Sequence, residues 1–184
     1  MFSHRHQAQR AHAGLAWVGD RLLAAYAKAG KQAEASRLAR ELLAQARQTL
    51  PPDSPQLAGR LAQLGLTLLE QEKGAEAEPL LRECLAIRQK KEPGEWATCL
   101  TQARLGAALL GQKKYAAAEP LLVQGCEGMR GWAARLGPSH YSFTRGPLAE
   151  GLKRLVALYD PLGKPAEAAR YRKELEAIEE PAGK

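Results

Sequence analysis

The chain has 184 residues, a formal net charge of +7 and 45% hydrophobic residues. The hydrophobic residues include 34 Ala and 29 Leu but only 3 Val and 2 Ile, and so few β-branched residues argue against a sheet and favour helices. The apolar stretches are far shorter than the roughly 20 residues of a membrane-spanning helix, so we expect neither a transmembrane segment nor a membrane partner.

The N-terminal residues 1–13 are basic and are interpreted as an extension or as the start of the first helix. The apolar stretch that follows ends at Asp20, which makes it too short for a secretory signal. Three cysteines without a CxxC motif fall inside helical patterns, so we expect reduced core thiols and a cytoplasmic protein. These cysteines are Cys84, Cys99 and Cys126.

Four similar segments follow one another along the chain at intervals of 42, 41 and 50 residues. They align on Ala35, Ala77, Ala118 and Ala168, which we call the anchor alanines. A second amphipathic helical pattern precedes each anchor, and connections of only a few residues require the two helices to be antiparallel. The sequence therefore predicts an all-α solenoid of about four antiparallel helix hairpins.

We expect a single array over residues 14–180, preceded by residues 1–13. Its repeats are predicted at about 14–50, 55–91, 94–136 and 147–180, with an inserted loop at about 137–147. Ser54 before Pro55 is a predicted N-cap. Gly65 and Gly106 each lie twelve residues before an anchor, where we expect small residues of the two helices to face each other at a close crossing.

The order Leu64-Gly65, Leu68, Ala77, Leu81 resembles the tetratricopeptide repeat (TPR) signature. The interval of about 42 residues and the AEPLL strings at 77–81 and 118–122 are similar to the longer kinesin-light-chain type of repeat. This resemblance implies a right-handed TPR-like superhelix whose concave face is lined by the first helix of each hairpin. It also implies a non-catalytic protein–protein interaction scaffold that binds a peptide or protein partner.

The C-terminal half also resembles the repeat tails of bacterial eukaryotic-like serine/threonine kinases. This similarity implies an alternative function as a regulatory tail in bacterial signalling, although the chain contains no Gly-rich phosphate loop, HRD or DFG. The TPR clamps that hold carboxylates use asparagines, and this sequence contains none. We therefore do not expect an asparagine-based clamp.

The stripe of the first helices that should face the groove is mainly aliphatic, with charged residues at its ends. The alternatives are that the leucines pack on a neighbouring repeat and that the charged side chains are simply solvated. The predicted groove residues are Trp17, Lys28, Leu66, Leu69, Glu70, Leu110, Lys153 and Asp160.

The predicted insertion brings arginines and aromatic residues close together in sequence. Such a cluster could receive a phosphate or an acidic peptide, or the aromatic residues could simply pin the loop to the array. The candidates are Arg130, Trp132, Arg135, Tyr141 and Arg145.

Motifs for catalysis or cofactor binding are absent from the sequence, which has no GxGxxG, Walker, HExxH or GxSxG pattern. We therefore predict no enzyme activity, no cofactor and no metal, since the histidines at positions 4, 6 and 12 have no Cys or acid near them in sequence. Basic residues are spaced singly with few aromatics between them, so nucleic-acid binding is only an alternative. Self-association of the chain through its N-terminal helix is a further alternative function.

Overall fold

The computed structural model describes residues 18–136 and 141–179, and these ranges contain helices and no strand. Consecutive helices pair into four antiparallel hairpins that stack as a right-handed α-solenoid, as the sequence predicted. No described helix combines the length and the hydrophobicity needed to span a membrane. The helices are α1 (residues 18–28), α2 (Gln32–Thr49), α3 (Pro55–Leu69), α4 (Gly74–Lys91), α5 (Trp96–Gly111), α6 (Tyr115–Leu136), α7 (Tyr141–Tyr159) and α8 (Pro165–Glu179).

The two central hairpins are held together by a leucine that fills the space beside a glycine. A Cβ atom on Gly65 would lie 2.8 Å from Leu81 Cδ2, and one on Gly106 would lie 2.7 Å from Leu122 Cγ. The close crossing that we expected is therefore present, but each glycine faces a leucine rather than another small residue. Both leucines are completely buried.

Helix α3 begins with the predicted cap. Ser54 Oγ accepts a hydrogen bond from the Leu57 backbone N–H at 3.2 Å, and Pro55 occupies the first helical position, where no N–H is needed. The Ser54 prediction is confirmed.

The three cysteines lie in the helical core as free thiols, as predicted. Burial raises the pKa of each thiol, and for Cys126 the pKa rises to about 12. The Cys84 thiol also donates a hydrogen bond to the Ala58 carbonyl at 3.1 Å. These thiols therefore stay protonated at neutral pH and serve as small core residues.

Every hairpin turn has a residue with positive φ at the same place, five residues before the anchor alanine. Glycine supplies it in the outer hairpins, with φ of +67° at Gly30 and +64° at Gly163. In the central hairpins the position is held by Glu72 at +59° and Lys113 at +60°. Because left-handed backbone is unfavourable for residues with a Cβ, the two central turns are strained.

Adjacent repeats are joined by polar contacts between each turn and the residue that follows the preceding anchor. Gln71 donates to the Gln32 carbonyl at 2.8 Å and to Ser36. In the next pair, Gln112 and Lys114 both donate to Glu78 at 2.8 Å. The hydrogen bonds from Lys114, Gln112 and Arg82 lower the pKa of Glu78 to about 2.

The prediction of a loop at 137–147 is wrong for residues 141–147. Helix α7 begins at Tyr141, so residues 141–147 are helical, while residues 137–140 lie outside the described part of the chain. Packing overrides the Gly146-Pro147 break: the Phe143 ring lies 5.3 Å from the Trp96 ring, and Leu148 and Leu152 are buried. A proline inside a helix loses one backbone hydrogen bond, which this packing offsets.

Replacement of Lys113 by glycine should stabilise the array. The substitution removes the strain of the left-handed residue, and the Lys113 side chain is exposed. We expect the free energy of unfolding in urea to rise by about 1 kcal/mol. Gly163→Ala, at the equivalent turn, should lower it by a similar amount; a loss of stability in Lys113→Gly would contradict this explanation.

Glu78 should make the array sensitive to acid. Its folded pKa of about 2 lies below the ordinary value of 4.5, so its stabilising contribution is present above pH 4.5 and is lost as the pH falls toward 2. We expect Glu78→Gln to lower stability at pH 6 by about 1 kcal/mol and to reduce the drop in stability between pH 6 and pH 3. Glu41→Gln, on an exposed face, is the control; equal pH profiles for wild type and Glu78→Gln would exclude this role.

Candidate binding groove

Helix α2 and the first helices of hairpins two to four line two cavities, of about 890 Å³ and about 430 Å³. The larger, which we call the N-terminal cavity, lies between α2 and α3 and also reaches Asp20, Arg88 and Arg104. The smaller C-terminal cavity is lined by α3, α5 and α7 together with Glu70, the residue after α3. Leu66 and Arg104 line both cavities, so the two adjoin, and we call them together the groove.

The groove has an aliphatic lining. Leu66 is only partly buried and, within the described part of the chain, does not pack against the hydrophobic core, unlike Leu69 and Leu110. An aliphatic side chain in this position gains contacts only when something occupies the groove. The other aliphatic residues at the two cavities are Leu42, Ala46, Leu50, Ala62, Leu69, Leu100, Ala103 and Ala107.

Positive charge predominates in the N-terminal cavity. Its lining contains Arg60, Arg88 and Arg104 but a single carboxylate, Asp20, which Arg60 contacts through a two-point ion pair. Arg88 Nη1 donates at 2.6 Å to the Ala97 carbonyl and to the Thr101 hydroxyl. No carboxylate among the residues at 18–136 and 141–179 pairs with Arg88 or Arg104.

Charge is balanced in the C-terminal cavity. Arg154 Nη2 forms an ion pair with Glu150 at 2.7 Å, one turn away on α7. Glu70 lies near Arg104 and its charge favours the protonated form of that arginine, but burial and the charge of Arg88 together lower the Arg104 pKa. The two halves of the groove therefore differ in charge.

The structure brings only some of the predicted groove residues together. Leu66, Leu69 and Glu70 line the groove. Leu110 is half-buried against the core and lines neither cavity. Lys28 is the exposed last residue of α1, and Trp17 lies outside the described residues.

Lys153 and Asp160 both form ion pairs with α8. Lys153 Nζ lies 2.8 Å from Glu179, and Asp160 lies 2.6 Å from Arg172 Nη2. Neither residue lines a cavity. The lining residues of α7 are instead Gly146, Pro147, Glu150, Gly151 and Arg154.

The candidates from the predicted insertion have partners within the array. Arg130 pairs with Glu174 of α8 at 2.6 Å. Trp132 Nε1 donates to the Gly94 carbonyl at 2.8 Å, and the Arg135 guanidinium lies 4.4 Å from the Trp132 ring centre. Arg145 is partly buried on α7 and also has a partner, while of Tyr141 only the backbone is described.

Sequence reasoning missed the arginines of the groove. The position fourteen residues before each anchor is polar in every repeat, as Arg21, Gln63, Arg104 and Arg154, and this recurrence could have identified Arg104. Arg88 was missed because it lies on a second helix, at a position where Ala46 and Met129 are buried in other repeats. An arginine at a core position is the signal that was overlooked.

Basic residues on α2 have carboxylate partners. Arg40 pairs with Glu76 at 2.9 Å, Arg47 with Glu83 at 2.5 Å, and Arg37 with Glu41 at 3.8 Å. This pairing reduces the positive charge that α2 offers to a nucleic acid. Among the described residues, no group of three or more His, Cys, Asp or Glu side chains is arranged to hold a metal ion.

Comparison with known proteins supports the same architecture. Residues 57–91 match the model of the tetratricopeptide repeat family. The sequence has no significant match among curated proteins.

Two solved structures illustrate the likeness in fold. The first contains nearly identical TPR-like repeats assigned to a kinesin light chain of Podosopora anserina; its TM-score is 0.61 at 19% identity, over 88% of this chain and 93% of that one. The second is BtubC (BKLC) from P. vanneervenii, with a TM-score of 0.73 at 15% identity, over 92% of this chain and 67% of that one. The predicted resemblance is confirmed: the chain has the fold of an α-solenoid of TPR-like repeats, with residues 57–91 matched to the tetratricopeptide repeat family.

Proposed function

We propose that this chain is a non-catalytic scaffold that binds a peptide or protein segment in the groove of its first helices. The observation that carries the proposal is the pair of adjoining cavities that share Leu66, a partly exposed leucine that does not pack on the core of the described residues. Rigid helix pairs hold its lining at fixed spacing, so little ordering of the receptor opposes binding. TPR-like repeats generally serve protein interaction, which supports the same function.

Two other functions predicted from the sequence have less support. The ion pairs of Arg37, Arg40 and Arg47 leave α2 poorly suited to nucleic acid. The regulatory-tail function rests on sequence resemblance alone, and a cytoplasmic location stays a prediction. A regulatory tail and a cytoplasmic protein are both compatible with a groove that binds a protein segment.

Leu66→Glu should abolish partner binding while the array stays folded, because the new carboxylate would lie in the groove rather than in the core. The measurement is capture from a lysate of the native host, identification of the retained protein, and titration of that purified protein by calorimetry. Circular dichroism should show unchanged helical content. Ala86→Glu adds the same charge at an exposed site on α4 and is the matched control.

Leu110→Glu should behave differently, because Leu110 packs against the core. We expect it to lower the free energy of unfolding by about 2 kcal/mol. Unfolding of Leu66→Glu, or binding of the purified partner equal to wild type, would refute the groove as the binding site.

The exposed side of α1 supports self-association as a second candidate. Val18 is 53% exposed and Leu22 is 41% exposed on this helix. If copies of the chain associate through this surface, sedimentation velocity should show a mass that rises with concentration, and Leu22→Lys should prevent the rise. A mass that stays that of a monomer at all concentrations would exclude self-association through α1.

A further inference from the structure

Arg88 departs from the core pattern of the array. It lies eleven residues after its anchor alanine, where hairpins one and three have the buried residues Ala46 and Met129. Its Nε–H is buried and has no hydrogen-bond partner within residues 18–136 and 141–179, while Nη1 donates to the Ala97 carbonyl and to the Thr101 hydroxyl. A partly buried and incompletely hydrogen-bonded cation adds less stability at this position than an apolar side chain would, so stability does not explain this residue.

Arg104 lies in the same cavity and adds a second charge. It has neither a hydrogen bond nor an ion pair with any residue of the described ranges, although Glu70 attracts it from a longer distance. The two guanidinium groups are close enough for the charge of Arg88 to lower the pKa of Arg104. Since the one carboxylate that lines this cavity is engaged by Arg60, neither cation has an ion-pair partner within the described residues.

We propose that Arg88 and Arg104 form a site for a phosphoryl group, carried on a phosphoserine or phosphothreonine of the segment that occupies the groove. The inference rests on the proposed function and names the chemistry of its ligand. A phosphomonoester carries about −1.5 to −2 charge, which matches two cations better than the single charge of a carboxylate.

Hydrogen-bonding capacity favours the same ligand. An arginine has five N–H donors; those of Arg104 are unused within the described residues, and Arg88 retains its Nη2 donors. Three terminal phosphate oxygens can accept more of these donors than two carboxylate oxygens can, and guanidinium forks suit them well. Leu42, Leu50 and Leu66 line the same cavity as the arginines, which favours a phosphorylated peptide over a free phosphate ion.

The test uses three fluorescein-labelled degenerate peptide libraries that differ only at the central residue. That residue is phosphoserine, glutamate or serine, and binding to the full chain is followed by fluorescence anisotropy. We expect the phosphoserine library to bind at least about tenfold more tightly than the glutamate library, with the serine library weaker still. Inorganic phosphate should compete with the phosphoserine library.

Two variants locate the site. Arg104→Gln and Arg88→Met should each weaken phosphoserine binding by at least about tenfold. Methionine is the residue that hairpin three has at the position of Arg88, so Arg88→Met should unfold at the same temperature as wild type or higher, which separates lost binding from lost structure. Arg37→Gln removes an exposed charge on α2 and should leave binding unchanged.

Equal binding of the glutamate and phosphoserine libraries would overturn the phosphoryl assignment, as would binding that survives in Arg88→Met and Arg104→Gln. If Arg37→Gln weakened binding of the phosphoserine library as much as Arg88→Met and Arg104→Gln do, the attraction would be due to general positive charge. That result would also overturn the phosphoryl assignment. A partner lost by Leu66→Glu but indifferent to phosphorylation would refute this inference alone. Phosphoserine binding that is lost in Arg104→Gln, together with a partner insensitive to Leu66→Glu, would refute only the groove function proposed above.

Discussion

The crossing of the helices in the central hairpins depends on two leucines that occupy space left by two glycines. Gly65 receives Leu81 and Gly106 receives Leu122, each at a separation that a Cβ atom would obstruct. A glycine within a helix costs about 1 kcal/mol relative to alanine, whereas full burial of a leucine contributes about 2 to 3 kcal/mol. The interlock is therefore favourable, and it fixes the rotation of α3 and α5 about their own axes.

That rotation determines where the groove lies. With the glycine face of each first helix turned toward its own second helix, the residues on another face, Leu66 on α3 and Arg104 on α5, line the cavities. Stacking of the repeats uses different contacts, between the turns and the preceding second helix, as in Gln112 and Lys114 with Glu78. Because these polar contacts are made at the turns, they join the repeats without filling the groove.

The sequence was sufficient for the helices, the hairpins and part of the groove, because burial recurs at a fixed offset from each anchor alanine. Leu66, Leu69 and Glu70 were predicted in this way. The method was wrong at Gly146-Pro147, where packing of α7 overrides a local break signal. The insertion in the third interval also gave no basis for predicting which residues of α7 line the groove, and Lys153 and Asp160 pair with α8 instead. Arg88 could not be found by considering first helices alone.

Arg88 illustrates why a groove residue can lie at a core position. The Ala97 carbonyl and the Thr101 hydroxyl hold one end of its guanidinium group, so little side-chain entropy is left to lose when a ligand binds. The nearby charge of Arg104 makes the empty groove electrostatically unfavourable, and a ligand that neutralises both cations relieves this repulsion. If a phosphoryl group binds there as proposed, binding and stability are linked, because a ligand that neutralises both charges stabilises the array that binds it. A methionine, as in hairpin three, would give the more stable empty array and would abolish this linkage.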